Sequence, residues 1–343
     1  MTKRAQAGIK VSLIVLNYNG IDMLEEYFTS VFAQTRVPDE IIMLDNASVD
    51  GSREYVQKKF PKVTIVANPI NEGTSKASNT AFKHASGDYV IFQSNDLKLE
   101  KHCVEALVTN LDNHADVGIC TSVLMQYRLT AGNKELLVET AGGVMDMFGF
   151  ASHNHYLDKI KTLPAEAESF LCFGASFIIR RKVFEKIKGF DNTFFTLNDD
   201  IDLCWRTRIV GYKVMFSRDS LVYHRGQATL GRPDVKRFQK RFWSARNNLR
   251  TVIKNYSNLQ ILTLFPVYML MLIAEAGYFL LRGKWTLFKA DIAAIGWNIM
   301  MLPDTLKERV HIQKLWSSNQ QVTNTWIKKS LKLEMFPVFH KAI

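Results

Sequence analysis

Between Val11 and Gln93 short apolar runs alternate with amphipathic stretches across polar joints, and few architectures accept that rhythm. Val11 to Leu16 reads as a central parallel strand, with further strands over Glu40 to Leu44, Val63 to Ala67 and Tyr89 to Gln93. Met23 to Gln34, Ser52 to Phe60 and Ser75 to His84 read as the helices between them. This order predicts an α/β fold on a doubly wound, mostly parallel sheet with flanking helices. At 343 residues and 47% hydrophobic content, the chain can hold one such domain and an appendage.

In such sheets ligands bind beyond the carboxyl ends of the strands, where backbone groups and helix N-termini converge. Asn17, Asp45 and the residues after Gln93 fall at those ends. Asp50 precedes the second helix and is expected to cap it. Asp45 reads equally well as a turn former or as a side chain delivered to a ligand. The first strand runs into Asn17-Tyr18-Asn19-Gly20, which lacks a G-x-G-x-x-G turn, and no P-loop is present. The site must therefore be built from side chains.

An ordered series of motifs runs through the chain. Val15 to Gly20 and Leu44 to Ser52 are followed by Asn71-Glu72-Gly73 with Asn79, then by Gly174-Ala175-Ser176, Gly189-Phe190-Asp191, Asn198 to Cys204, and Gly211-Tyr212 before His224. The series resembles family 2 glycosyltransferases with the GT-A fold, a Rossmann-like sheet with flanking helices, and especially their rhamnosyltransferase-like branch. The likeness covers about residues 10 to 255.

The resemblance implies that Asp45 accepts a hydrogen bond from the ring N3–H of a uridine or thymidine diphosphate sugar, with Asn17 and Tyr18 beside base and ribose. Such a pairing discriminates against cytosine, whose N3 has no proton. Asn79, Ser94 and Asn95 complete the implied nucleotide-sugar site. The family's metal motif, Asp-x-Asp or Asn-x-Asp, aligns with Ser94-Asn95-Asp96, a departure at its first position. Asp96 then remains as the carboxylate for Mg2+ or Mn2+, ions that take oxygen ligands and accept the rest from a diphosphate. His224 is implied as a second contact to metal or diphosphate.

Asp200 matches the family's catalytic base, with Asp199 and Trp205 implied beside the acceptor. Its acidic neighbours are expected to raise its proton affinity. Asp202 is expected to pair with Arg206 four residues on. The implied reaction is a single in-line displacement with inversion at the sugar carbon. Gln227 to Arg232 is expected to act as a lid, with Arg225 and Arg232 as phosphate contacts. Ser220 to Tyr223 reads as an edge strand, and His153 and His155 as solvated loop residues.

The net charge of +11 lies in the last third: from Leu230 onward there are 18 Lys/Arg against 6 Asp/Glu. Asp234 to Tyr256 carries an apolar seam flanked by basic residues, the pattern of a helix at a membrane interface or packed on the catalytic domain. Leu259 to Leu281 is mostly apolar but interrupted by Pro266 and Glu275, and Thr286 to Leu302 is a companion carrying Asp291. We expect monotopic or re-entrant attachment of 233–302 to an anionic membrane surface, with a single crossing by 259–281 as the alternative. Nucleic acid binding leaves the apolar stretches unexplained.

Val11 to Leu16 is too short for the apolar core of a signal peptide, and Cys103, Cys120, Cys172 and Cys204 lack metal-site spacing. The catalytic domain is thus expected at the cytoplasmic face with reduced thiols. The expected division is a flexible 1–10, a catalytic domain over 11–232 (11–97 for nucleotide-sugar, 98–232 for acceptor) and membrane-associated helices over 233–343. The expected activity is inverting transfer of a sugar, with rhamnose suggested by the branch, to a hydroxyl of a lipid-linked glycan. Transfer to a polyprenyl phosphate and non-catalytic binding of a nucleotide sugar or glycan are the alternatives. Gln239 to Trp243 holds the residue types of the processive Gln-x-x-Arg-Trp motif in the wrong register, so addition of one or few sugars is expected.

Overall fold

The computed structural model describes residues 8–126, 137–225 and 236–317. Its first part is β1 (Val11–Asn17), α1 (Ile21–Phe32), β2 (Glu40–Asp45), α2 (Ser52–Lys59), β3 (Val63–Ala67), α3 (Gly73–Phe82) and β4 (Tyr89–Ser94). These strands lie side by side, all parallel, in the order β3-β2-β1-β4. β1, β2 and β4 form where expected because both of their faces are buried, while β3, at the edge of the sheet, is only partly covered. On one side Leu13 and Val15 meet the apolar stripe of α1, which includes Leu24, Tyr27, Phe28 and Val31. On the other, Ile14 and Phe92 meet α3 and later elements.

The chain continues through β5 (Leu97–Leu99), α4 (Cys103–Asn113), β6 (Val117–Gln126), β7 (Val138–Thr140), β8 (Gly143–Met145), β9 (Ala151–His153) and β10 (Glu166–Ser169). Then come β11 (Ser176–Arg180), α5 (Arg181–Lys186), α6 (Asp199–Ile209) and β12 (Lys213–His224). The sheet is mixed rather than mostly parallel, because β11 inserts antiparallel between β4 and β6. β12 pairs with β6 along its length, with β10 at one end and β5 at the other. Ser220 to Tyr223 therefore sits inside the sheet, not at an edge.

The last helices are α7 (Arg237–Asn255), α8 (Asn258–Thr263), α9 (Phe265–Leu281), α10 (Trp285–Met300) and α11 (Leu302–Ser317). The apolar stretch 259–281 is split between α8 and α9, with Pro266 in the first turn of α9 where its missing N–H costs nothing. Among the described residues no helix is long and apolar enough to cross a membrane. The basic residues of α7 are largely spent on packing. Arg250 reaches Asp191 at 2.9 Å and Asp304 at 2.8 Å, and Lys254 lies 3.1 Å from Asp202. Arg241 bonds Asp291 on α10 at 2.5 Å and Glu275 on α9 at 2.6 Å. The acids that interrupt the apolar stretches thus hold both helices onto α7. Asp202 also pairs with Arg206 at 2.7 Å, as expected.

Candidate active site

A cavity of about 890 Å³ opens where β1 and β4 end, bounded by the start of α6 and by α7 and α9. Strand register brings its first residues together: Asn17 stands beside Asp45, and Leu16 beside Ser94. Asn17 and Tyr18 line the cavity, as do Ser94, Asn95 and Asp96. The Asn17 side chain donates to Asp45 at 3.2 Å and to Ser48 at 3.1 Å, and accepts from Asn95 at 2.6 Å. Gly20 is required here, since a Cβ would stand 2.2 Å from the Asn95 amide nitrogen.

Asp45 itself is 0% exposed. Its carboxylate accepts from the Ser48 N–H at 3.0 Å and lies 3.5 Å from the Arg53 guanidinium. Its observed work is to hold the Asn17 and Ser48 loops, so direct contact with a base requires one of these partners to be exchanged for a ring N–H. Asp50 accepts from the backbone of Ser52 at 3.1 Å and of Ile21 at 2.9 Å, capping α2 as expected and tying α1 to it. Asn79 is corrected to a structural clamp: it exchanges hydrogen bonds with the Phe190 backbone and donates to Asn192.

Asp96 lines the cavity while only 5% exposed. Ser94 donates to one of its oxygens at 2.5 Å, and His224 Nε2 lies 3.3 Å from the other. Burial opposes ionisation of Asp96, but the hydrogen bond and charge of His224 with the Ser94 hydroxyl hold its carboxyl below its usual value. His224 Nδ1 meets Glu139 on β7 at 2.9 Å. Burial pushes the imidazole down, and its bonds to Asp96 and Glu139 outweigh that, raising it to about 10. Among the described residues no group of three or more His, Cys, Asp or Glu is placed to hold a metal ion. The Asp96 carboxylate facing the cavity suits a hard divalent ion whose other ligands come from a diphosphate, whereas the His224 imidazole, protonated between Asp96 and Glu139, can ligate only where an ion displaces its proton.

Asp200 enters the cavity from the first turn of α6. One oxygen accepts from the Gly174 N–H at 2.8 Å and the other from the Ile201 N–H at 2.8 Å. Burial first, then the charge of Asp199, raises its carboxyl to about 7 despite those bonds. Asp199, also lining the cavity and raised by burial, accepts from Thr74 at 2.8 Å. Both acids follow Leu197 and Asn198, two non-glycine residues at φ 70° and 62°, each in a left-handed conformation worth about 1–3 kcal/mol of strain. The turn is held from outside: Asn247 on α7 donates to the carbonyls of Thr196 and Leu197 at 2.9 and 2.7 Å. Gly73 lets the neighbouring loop close against it, since at φ 78° a Cβ there would lie 2.1 Å from the Phe195 carbonyl oxygen.

Trp205 is corrected from acceptor contact to core. It is 1% exposed, packed edge-on to Phe170 and Tyr256 and absent from the cavity lining. His153 is exposed, as expected, while also lining the cavity and stacking on Phe173 at 4.1 Å. His155 pairs with Asp158. Arg225 pairs with Glu26 at 2.6 Å rather than with the cavity. The expected lid, Gln227 to Arg232, lies outside the described residues. Glu139, Thr74 and Asn247 carry no motif and were legible only once β7, α3 and α7 came together.

The sheet with its flanking helices is shared with solved structures. The chain superposes on GalNAc-T7 with UDP, GalNAc and Mn2+ at a TM-score of 0.59 and 16% identity, over 73% of this chain and 48% of that one. It superposes on a mannosyltransferase from Pyrobaculum calidifontis, in complex with GDP-Man and Mn2+, at 0.51 and 20% identity, over 94% and 84%. At these identities the likeness is one of fold, the GT-A arrangement. By sequence it is 29% identical over 234 residues to an O-antigen biosynthesis protein of Myxococcus xanthus, covering 64% of this chain but 18% of that protein. It is 20% identical over 237 residues to an N-acetylglucosaminyl-diphospho-decaprenol L-rhamnosyltransferase of Mycobacterium tuberculosis, covering 64% and 77%. The chain thus spans far less than two thirds of the Myxococcus relative, and 26% of a Sinorhizobium fredii one. The model of glycosyl transferase family 2 matches residues 12–188, more than half of the chain, and the chain belongs to that family.

Proposed function

We propose that this chain transfers a sugar from a uridine or thymidine diphosphate sugar, dTDP-rhamnose being the donor the branch suggests, to a hydroxyl of a lipid-linked glycan. The observation that carries the reading is Asp200: an acid raised to about 7, on the wall of the cavity that also holds Asp96, His224, Asn17 and Tyr18. Asp200 takes the proton of the acceptor hydroxyl as its oxygen bonds to the anomeric carbon, the bond from that carbon to the diphosphate breaks, and the nucleoside diphosphate departs. One displacement inverts the sugar carbon. The Gly174 and Ile201 N–H groups fix the carboxylate, so its direction toward the acceptor is set before the acceptor arrives. Asp96, with His224 once its proton is displaced, would hold Mg2+ or Mn2+, which when bound supplies positive charge against the leaving diphosphate.

The lipid-linked acceptor is supported by the decaprenol-linked substrate in the name of the mycobacterial relative. Attachment to a membrane surface, which we place at the cytoplasmic face, is favoured by apolar side chains exposed along α8 to α10, among them Leu262 at 76% and Leu281 at 88%. Thermal shift with a panel of nucleotide sugars and Mn2+ identifies the donor, and turnover on lipid-linked glycan acceptors follows. Asp200→Asn should keep donor binding and lose transfer. No stabilisation by any nucleotide sugar would overturn the reading.

A further inference from the structure

The cavity does not end at Asp200. It continues between α7 and α9, where Tyr268, Leu272, Glu275 and Phe279 line it at helical spacing beside Leu287 of α10 and Phe150. Apart from Glu275, which is held by Arg241, this α9 side is apolar or aromatic, while α7 adds polar and basic side chains to the lining, Ser244 and Arg237 among them. The opposite side of α9 is apolar too: Leu270 and Ile273 are 67% and 58% exposed. A helix with apolar side chains on both sides is not explained by packing on one core. Asn248 of α7 also lines the cavity, and its Nδ2 donates to Tyr268 at 3.2 Å.

We propose that this lobe binds the apolar chain of the acceptor. The occupant is an isoprenoid or similar aliphatic chain, because one molecule then accounts for a polar end at Asp200 and an apolar α9 wall continuous with it in the same cavity. The proposal rests on the lipid-linked acceptor proposed above, and it assigns that lipid to the inner face of α9 rather than to the protein's outside.

The test is calorimetric titration of the full-length protein with farnesyl phosphate and, separately, inorganic phosphate. Binding of UDP and of dTDP, each with Mn2+, is measured on the same preparations. Farnesyl phosphate is expected to bind at least about tenfold more tightly than phosphate, the increment that burial of a few methylenes supplies. Leu272→Trp, which fills the lobe from α9, and Ser244→Trp, which fills it from a half-buried position on α7, should each remove that increment and leave UDP binding intact. Leu270→Ser, on the outer face, should leave it in place. Equal binding of the two phosphates, or a farnesyl increment that survives both tryptophans or falls with Leu270→Ser, would overturn the assignment. Failure of both UDP and dTDP to bind, with the farnesyl increment intact, would instead sink the glycosyl-transfer reading and spare the lobe.

Discussion

The side-chain amide of Asn247 donates to the carbonyl oxygen of Leu197 across 2.7 Å, tying the first of the C-terminal helices to the strained turn that aims Asp200. Asn247→Ala should release that turn and lower kcat about tenfold or more, since small misplacements of a reacting group are costly. Nucleotide binding at the other end of the cavity should hold. Steady-state kinetics beside UDP titration measures both, and an unchanged kcat would show that the turn holds itself.

Asp200 must be ionised to accept a proton, and its carboxyl is raised to about 7. The rate should therefore climb as pH passes through 7 and level off above it, and Asp200→Asn should lose about 100- to 10,000-fold. Stability runs the other way. The folded state prefers the protonated acid, so it loses stability as pH rises from the ordinary value of 3.8 toward 7 and no more beyond. Asp200→Asn is consequently expected to melt higher than wild type at pH 8 and with little difference near pH 4. Parallel melts at the two pH values check the sign.

Asp96 is the cavity carboxylate best placed for a cation. Nucleotide at about 100 times its Kd should stabilise the wild type by about 2.7 kcal/mol. With Asp96→Ala, only the part of that gain that persists without Mn2+ should survive. Identical Mn2+ responses in the two proteins would move the cation elsewhere.

Arg241 stands between Glu275 and Asp291. Arg241→Ala leaves two buried acids facing one another without their cation and should cost about 3–5 kcal/mol in urea unfolding. Replacing all three by Met, Leu and Leu should recover most of it. A mild effect of the single change would mean that α9 and α10 stay docked by apolar contact alone.

The first half of the fold was open to reading because each parallel strand is an apolar run that stops at a polar residue, and that stop is also where a ligand is met. Asn17, Asn95 and Asp96 line the cavity at such stops. Trp205 misled because an aromatic beside an acidic cluster looks like a sugar platform, whereas its burial depends on Phe170 and Tyr256, far away in the chain. Glu139 sits on a three-residue strand too short to show a period. Glu275 and Asp291 looked like flaws in membrane segments because their partner, Arg241, lies 34 and 50 positions away. Pairing across such distances leaves no local trace.

The wall that α7 and α9 contribute has a practical corollary for anyone cutting this chain. A fragment stopping at residue 188, where the family match ends, would lack α6 and with it Asp200; one stopping at 232 would keep every strand yet strip the cover from the reaction chamber and bare Asp191 and Asp202. The portion that the family match marks out therefore lacks Asp200, and the C-terminal helices wall the cavity in which that acid stands.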